Sequence, residues 1–432
     1  VTDILDLRRS RGYRESACRH LAFGVSSTPR AAQRPAPIVV ERADGVWITD
    51  ADGNRYIDYA LGYGPLILGH SPPAVMAAIR AELDRGLRIA SLHRGEAVLA
   101  DLIAQCVPSA ELTAFVNTGT EAVQLALRIA RAATGRVPIV KFRGNYHGWF
   151  DNVHVANSPG HDGGGTLGQD PHAADALTIL DWGDADALER VLNARYAAVL
   201  LEPAAINPGC FAPPDGFLRR LREAASRHGA MLIFDEVITG FRLGLGGAQA
   251  RYGVLPDLTV LGKALGGGLP IGAVSGTYAA MQPVATGALY QRGTFNGHPL
   301  AMAAGAACVQ VLQAGQSEIY PRMEGFAAAL ANHVNAEAVR LGVVVCAQQV
   351  GPALQLFAGL HRLAGLNDLA RVDREGVLVL TGALLCRGVQ TIPRGLMYLS
   401  AAHGEAEIET TMRAITGALQ QYRDTHDDSD TP

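Results

Sequence analysis

The sequence predicts an α/β protein with a largely parallel sheet, and three observations lead to that class. From about residue 60 to 310, short apolar runs that read as strands buried on both faces alternate with stretches of helical periodicity. Hydrophobic residues make up 48% of the chain and charged residues 18%, which describes a well-packed core and not a disordered polymer. Glycine, at 49 of 432 residues, exceeds its usual share of roughly 7%, as many tight turns and ligand-hugging loops require.

The elements follow in order. Residues 1–60 are mixed and arginine-rich, with Pro29, Pro35 and Pro37 ahead of a hairpin at 46–58 that turns through Asp50-Ala51-Asp52-Gly53. Strands are expected at 115–116, 138–140, 198–201, 231–234 and 259–261, with helices such as 121–133 and 216–228 between them. Beyond residue 320 the pattern gives a helix, strands and a final helix, and the polar tail 425–432 is expected to be disordered. A chain of this length needs more than one lobe. The expected division is an N-terminal segment (1–60), a large domain (61–315) and a smaller C-terminal α+β domain (316–432).

Several function classes drop out. A net charge of −4 with no basic stripe argues against nucleic-acid binding, and no run of about 20 apolar residues suggests a membrane span. The six cysteines are scattered without a C-x-x-C pair, so neither disulfides nor a metal site is expected and a reducing cytoplasm is the natural setting. Residues 1–6 show no basic head before an apolar run, so no secretory signal is expected. Gly262-Lys263 lacks the flanking residues of a P-loop, Gly244-x-Gly246-Gly247 follows no convincing strand, and no Gly-x-Ser-x-Gly elbow occurs.

The chain holds 35 arginines and two lysines, Lys141 and Lys263. A lysine kept where arginine serves everywhere else is a candidate for amine chemistry, since an ε-amine can lose its proton and form a Schiff base. Lys263 lies in a glycine-rich stretch at the end of an expected strand, and Asp235-Glu236 end another. Ligands of open α/β sheets bind at such strand ends, although a plain salt bridge would use the same pair. Asn117-Thr118-Gly119-Thr120-Glu121-Ala122 passes from a strand into a helix whose N-terminus suits a phosphate, and equally suits an ordinary cap. Gly144-Asn145-Tyr146-His147-Gly148-Trp149 presents Tyr146 either to a flat ligand or to the core, and His147 reads as structural. Arg292 to Pro299 is again small and polar before a helix.

Together these segments resemble the class III (subgroup II) aminotransferases of pyridoxal-phosphate fold type I, over about residues 24–409. The resemblance is strongest to the branch of glutamate-1-semialdehyde 2,1-aminomutase and β-amino-acid aminotransferases. It rests on Asp52 to Asp58, Asn117 to Ala122, Tyr146-His147-Gly148, LIFDEVITGFR (232–242), PDLTVLGKALGGGLP (256–270) and GTFNGHPLAMAAG (293–305). It implies a large domain on a mostly parallel seven-stranded sheet, with the N-terminal segment contributing to the small domain and the site entrance. It implies pyridoxal 5′-phosphate bound through Lys263 as an internal aldimine, Asp235 on the pyridine nitrogen, Tyr146 and Val237 on the two ring faces, and Gly119 and Thr120 on the phosphate. Thr294 would reach the phosphate of a neighbouring subunit, which implies a homodimer with shared sites. Lys141 has a counterpart in the family and reads as structural.

The aminomutase-type Gly-Val-Asn-Ser-Pro-Val-Arg segment is similar to Gly24-Val25-Ser26-Ser27-Thr28-Pro29-Arg30, which keeps Arg30 as a carboxylate contact. Residues 390–400 lack the aminomutase glutamate and are similar to β-amino-acid aminotransferases, making Arg394 a second substrate contact or an exposed loop arginine. The expected activity is therefore a ping-pong aminotransferase passing an amino group from a donor amine, through pyridoxamine phosphate, to a keto or aldehyde acceptor. A glutamate-1-semialdehyde aminomutase, a natural-product transaminase or racemase, and a non-catalytic cofactor-binding protein are the alternatives. Glycines at 158–166 suggest a lid.

Overall fold

The computed structural model describes residues 5–157 and 166–427. The expected lid thus falls outside the described residues, apart from Thr166. The chain divides into two compact units, residues 1–72 with 321–432, and residues 73–320.

In the first unit β1 (Val40–Asp44), β2 (Trp47–Asp50) and β3 (Arg55–Asp58) form an antiparallel meander. The expected turn joins β2 to β3. Asp50 fastens it by accepting hydrogen bonds from the amides of Asp52 and Asn54, as aspartate does in such turns.

The second unit carries seven strands: β4 (Leu112–Val116), β5 (Ile139–Phe142), β6 (Leu177–Leu180), β7 (Ala198–Leu201), β8 (Met231–Asp235), β9 (Leu258–Gly262) and β10 (Gly272–Gly276). They lie in the order β4-β10-β9-β8-β7-β5-β6. Only β10 runs antiparallel to its neighbours; the other pairings are parallel. β5, β7 and β9 are buried at every position, as a sheet covered by helices on both faces requires. The helix Gly119–Thr134 buries Ala122, Val123, Ala126, Leu127, Ile129 and Ala130 against Ile139, Leu200, Ile233, Val260 and Val274.

The remaining strands complete the first unit. β11 (Val345–Val350), β12 (Ala353–Ala358) and β14 (Leu396–Tyr398) form an antiparallel sheet, while β13 (Val389–Gln390) pairs in parallel with β3. The last helix, Glu405–Asp427, continues through the first three residues of the expected disordered tail.

Strand register sets the site. Gly272 of β10 stands opposite Val116 of β4 and Gly262 of β9, so Asn117 and Lys263 emerge from one edge of the sheet on either side of β10. The approach there is closer than a side chain permits. A Cβ on Gly272 would stand 2.3 Å from the carbonyl oxygen of Thr118. Gly272→Ala is therefore expected to lower stability by about 1–3 kcal/mol, as overpacking does. Gly325→Ala, where the added Cβ meets nothing within 4 Å, should cost nothing. Urea midpoints of the two variants check this.

Candidate active site

Three segments of the second unit meet at the carboxyl ends of its parallel strands. The first is the start of the helix Gly119–Thr134. Thr118 caps it, accepting from the amide of Glu121, while the Glu121 carboxylate takes the amides of Asn117 and Thr118. This capping box satisfies the surrounding donors and leaves the first-turn amides of Gly119 and Thr120 pointing along the helix axis, the arrangement that binds phosphate. The cap is present, and it leaves the Gly119 and Thr120 amides unused by the capping side chains.

The second segment is the end of β8. Asp235 is 5% exposed. Its Oδ1 accepts the amide of Val237 at 3.1 Å, and its Oδ2 lies 2.7 Å from Nδ1 of His147. Burial pulls the His147 pKa below its ordinary value, against the pull of Asp235. The ring is therefore neutral near pH 7, with Nδ1 donating to the carboxylate. His147 is structural, as its lack of metal-ligand spacing suggested, but its partner is the central acid of the site. Glu236, grouped with Asp235 in the sequence, turns the other way: its carboxylate accepts the amides of Ala248 and Gln249 and the Thr239 hydroxyl. It is a buried structural acid, since successive strand side chains face opposite sides.

The third segment is Gly262-Lys263. Gly262 is extended, and Lys263 then takes φ of +44°, a left-handed conformation costly for a residue with a side chain. Such strain is sustained where the surrounding structure imposes it. Val237 joins the three segments. A Cβ on Gly119 would lie 3.1 Å from its Cγ2, and one on Gly262 would lie 3.5 Å from its Cγ1.

The loop after β5 borders the same place. Tyr146 is 40% exposed, so it is presented outward and is no packing plug. The Asp235 charge acts on its hydroxyl, although burial is the larger cause raising the Tyr146 pKa. Gly148, with φ of +98°, lies on Thr120; a Cβ there would stand 2.7 Å from the Thr120 Oγ1. Thr294 is exposed in this unit.

Arg30 and Arg394 belong to the first unit, where both guanidinium charges act on the hydroxyl of Tyr63. Tyr63 itself is held at φ of +67°. Gln33 and Gln390 bond through their side chains, and the Tyr59 amide donates to the Gln390 carbonyl at 2.8 Å. These contacts tie together the segments that carry Arg30, Tyr63 and Arg394.

Sequence reasoning missed Glu202, Asn145 and Tyr63, because each acts through partners distant in the chain. Glu202 follows β7, is buried, and accepts the amide of Tyr146 at 2.8 Å. Burial pushes its pKa up to about 7, helped by the Asp235 charge. Among the described residues no three His, Cys, Asp or Glu side chains cluster as metal ligands, no helix is long and apolar enough to cross a membrane, and all six cysteines are free thiols.

The donor set fits a phosphorylated aromatic cofactor: helix-start amides for phosphate, a buried carboxylate for a ring N–H, and a lysine beside them. The cradle is lined by glycines that side chains would fill, and Nε2 of His147 is a buried atom without a hydrogen-bond partner.

Comparison with known proteins agrees. Residues 28–340 match the family model Aminotransferase class-III. A glutamate-1-semialdehyde 2,1-aminomutase of Ignicoccus hospitalis is 41% identical over 92% of this chain and 95% of its own. An ω-transaminase structure from Sphaerobacter thermophilus is 33% identical, with a TM-score of 0.89 over 97% of this chain and all of that one. A β-phenylalanine aminotransferase from Variovorax paradoxus is 31% identical, with a TM-score of 0.86 over 97% of this chain and 94% of that one. The chain belongs to the class III aminotransferases, which use pyridoxal 5′-phosphate on a type I fold.

His147→Phe keeps the ring volume and removes the donor to Asp235. A hydrogen bond to a charged group contributes about 1.5–3 kcal/mol. Cofactor affinity should therefore fall by roughly ten- to a hundredfold by equilibrium dialysis, and affinity like that of the parent would remove His147 from the site.

Proposed function

We propose that this class III aminotransferase moves an amino group from a carboxylate-bearing amine to a keto or aldehyde acceptor in two half-reactions. The observation that carries the reading is the register that sets Lys263, Asp235 and the Gly119-Thr120 amides at one edge of one sheet. Pyridoxal 5′-phosphate supplies an aldehyde that condenses with amines and a ring that takes up electron density from the adjacent carbon.

The residues do the rest. The ε-amine of Lys263 would hold the cofactor between turnovers and, once displaced by substrate, carry a proton from the substrate carbon and return it. The Asp235 carboxylate, oriented by His147, would keep a proton on the ring nitrogen. Gly119 and Thr120 would hold the phosphate through their amides, with Tyr146 and Val237 on the two ring faces.

Arg30 and Arg394 would take the substrate's carboxylate. Support comes from their common effect on Tyr63, which gathers two guanidinium groups near one phenol. Residues 390–400 lack the glutamate of aminomutases, which favours intermolecular transfer. A second reading, glutamate-1-semialdehyde aminomutase, is favoured by the 41% identity to a relative of that name. A homodimer, with Thr294 serving the partner's phosphate, is supported by exposed apolar side chains near it: Leu92 at 99%, Tyr290 at 62% and Phe295 at 54%. The free thiols suit a cytoplasmic setting.

Three outcomes are expected. Lys263→Ala should abolish turnover and the absorption band of the lysine-bound cofactor; a variant that keeps both would refute the mechanism. With β-phenylalanine as donor, product should form only when a keto acid is supplied. Conversion of glutamate-1-semialdehyde without any keto acid would establish the mutase instead. Arg394→Gln and Arg30→Gln should each raise KM about tenfold for β-phenylalanine, the loss of one charge-assisted hydrogen bond, and leave 1-phenylethylamine, which lacks the carboxylate, unaffected.

A further inference from the structure

Lys141, the other lysine, has no part in the chemistry above. It lies on β5, is 0% exposed, and is among the largest fully buried side chains. Its Nζ donates to three oxygens: the carbonyl of Asn145 at 2.8 Å, the carbonyl of Val155 at 2.8 Å and Oδ1 of Asn157 at 3.1 Å. All three belong to the loop that leaves β5 and carries Tyr146 and His147. One ammonium therefore fastens both ends of that loop, and the Gly144 amide closes it by donating to the Ala156 carbonyl at 2.8 Å.

Asn145 extends the grip to β7. Its Oδ1 accepts the amide of Glu202 at 2.9 Å, and Glu202 in turn accepts the amide of Tyr146 and both nitrogens of Asn207. Burial lowers the Lys141 pKa to about 7, against the Glu202 charge and with the Arg143 charge; the three converging oxygens, which accept from one nitrogen, are what call for the ammonium form. The other charged group near this cluster is Asp235, whose carboxylate is bonded to His147. The three acceptors of Lys141 converge on a single nitrogen. An ammonium places three donors on one atom, whereas a guanidinium spreads its donors over a plane and needs more room.

We propose that Lys141 is a positioning residue for the cofactor: its ammonium, bonded to the three oxygens of the 145–157 loop, holds Tyr146 and His147 in place before the cofactor arrives. The inference rests on the cofactor roles of Tyr146 and His147 given above. Lys141 itself touches neither cofactor nor substrate and acts only through the loop.

The test compares Glu202→Gln with the double variant Lys141→Met/Glu202→Gln. The double variant buries no unbalanced charge, and the carboxamide that replaces the Glu202 carboxylate keeps an oxygen for the Tyr146 amide. Both proteins should melt within a few degrees of each other without cofactor. The double variant should bind pyridoxal 5′-phosphate about tenfold or more weakly than Glu202→Gln, because the loop has lost its three bonds. Lys141→Arg should also bind more weakly although the charge is kept. Equal affinity of Glu202→Gln and the double variant would overturn the proposal, as would a fall in affinity matched by an equal loss of cofactor-free stability. Should the variants fail to fold, the unaltered protein decides. Its cofactor-free form should protect the amides of Gly144 and Tyr146 from hydrogen exchange as well as those in the middle of the helix Gly119–Thr134. Rapid exchange of the loop amides alone would overturn the proposal. A parent protein that binds no pyridoxal 5′-phosphate would instead refute the proposed function.

Discussion

The site depends on backbone approaches that exclude a Cβ. Gly272 packs on the Thr118 carbonyl, Gly119 on Val237, and Gly148 on Thr120. Each contact joins a different pair of segments, and together they bring a helix start, two strand ends and a loop to one edge of the sheet. A single methyl group at any of the tightest points would push one of these segments outward. Glycine is costly in strands because it loses more freedom on folding. Gly272 is tolerated at its strand end because the position it holds admits nothing larger.

Behind that edge lies a set of buried charges whose arrangement decides how the front behaves. Asp235 and Glu202 are both acids shielded from water, and the Asp235 charge adds to burial in raising the Glu202 pKa. The structure separates their roles by their donors. Glu202 receives three N–H groups from Tyr146 and Asn207 and has Lys141 as a nearby cation. Asp235 receives the Val237 amide and a neutral imidazole, neither of which carries a full positive charge. In the proposed mechanism the ring nitrogen of the cofactor would supply the cation that Asp235 lacks. A protonated His147 would supply that cation from within the protein, and the burial that keeps this ring neutral is what prevents it.

Much of the frame was legible in the sequence, for physical reasons that also explain the misses. β7, β8 and β9 are unbroken apolar runs because helices cover both faces, and such runs are visible without knowledge of their partners. β10 was missed because its sequence, GAVSG, is chosen for closeness to neighbouring backbone and so carries a weak strand signature. β6 is only half-buried along its length. The family resemblance named Lys263, Asp235 and the helix start. It could not reveal that Thr118 caps that helix without using the Gly119 and Thr120 amides, or that Glu236 serves a different helix from Asp235. Those facts depend on side-chain direction. The pairing of His147 with Asp235 joins residues from two strands, a contact no local pattern encodes.

The imbalance between arginine and lysine follows the same logic of donor geometry. Several arginines meet carboxylates near the surface: Arg222 with Asp257 at 2.7 Å, Arg340 with Glu337 at 2.7 Å, and Arg220 with Asp186 and Glu189 together. A planar fork suits two carboxylate oxygens, and exposed pairs of this kind add little stability. Such positions therefore tolerate whichever cation composition favours, and here that is arginine. Neither lysine occupies such a position. At Lys141 three oxygens of one loop converge on the ammonium nitrogen. At Lys263 the proposed mechanism needs a group that can lose its proton and form a bond, which guanidinium, protonated at any physiological pH, does not do. In the proposed roles one lysine serves through the geometry of its ammonium and the other through the reactivity of its amine, two uses that an exposed ion pair does not require.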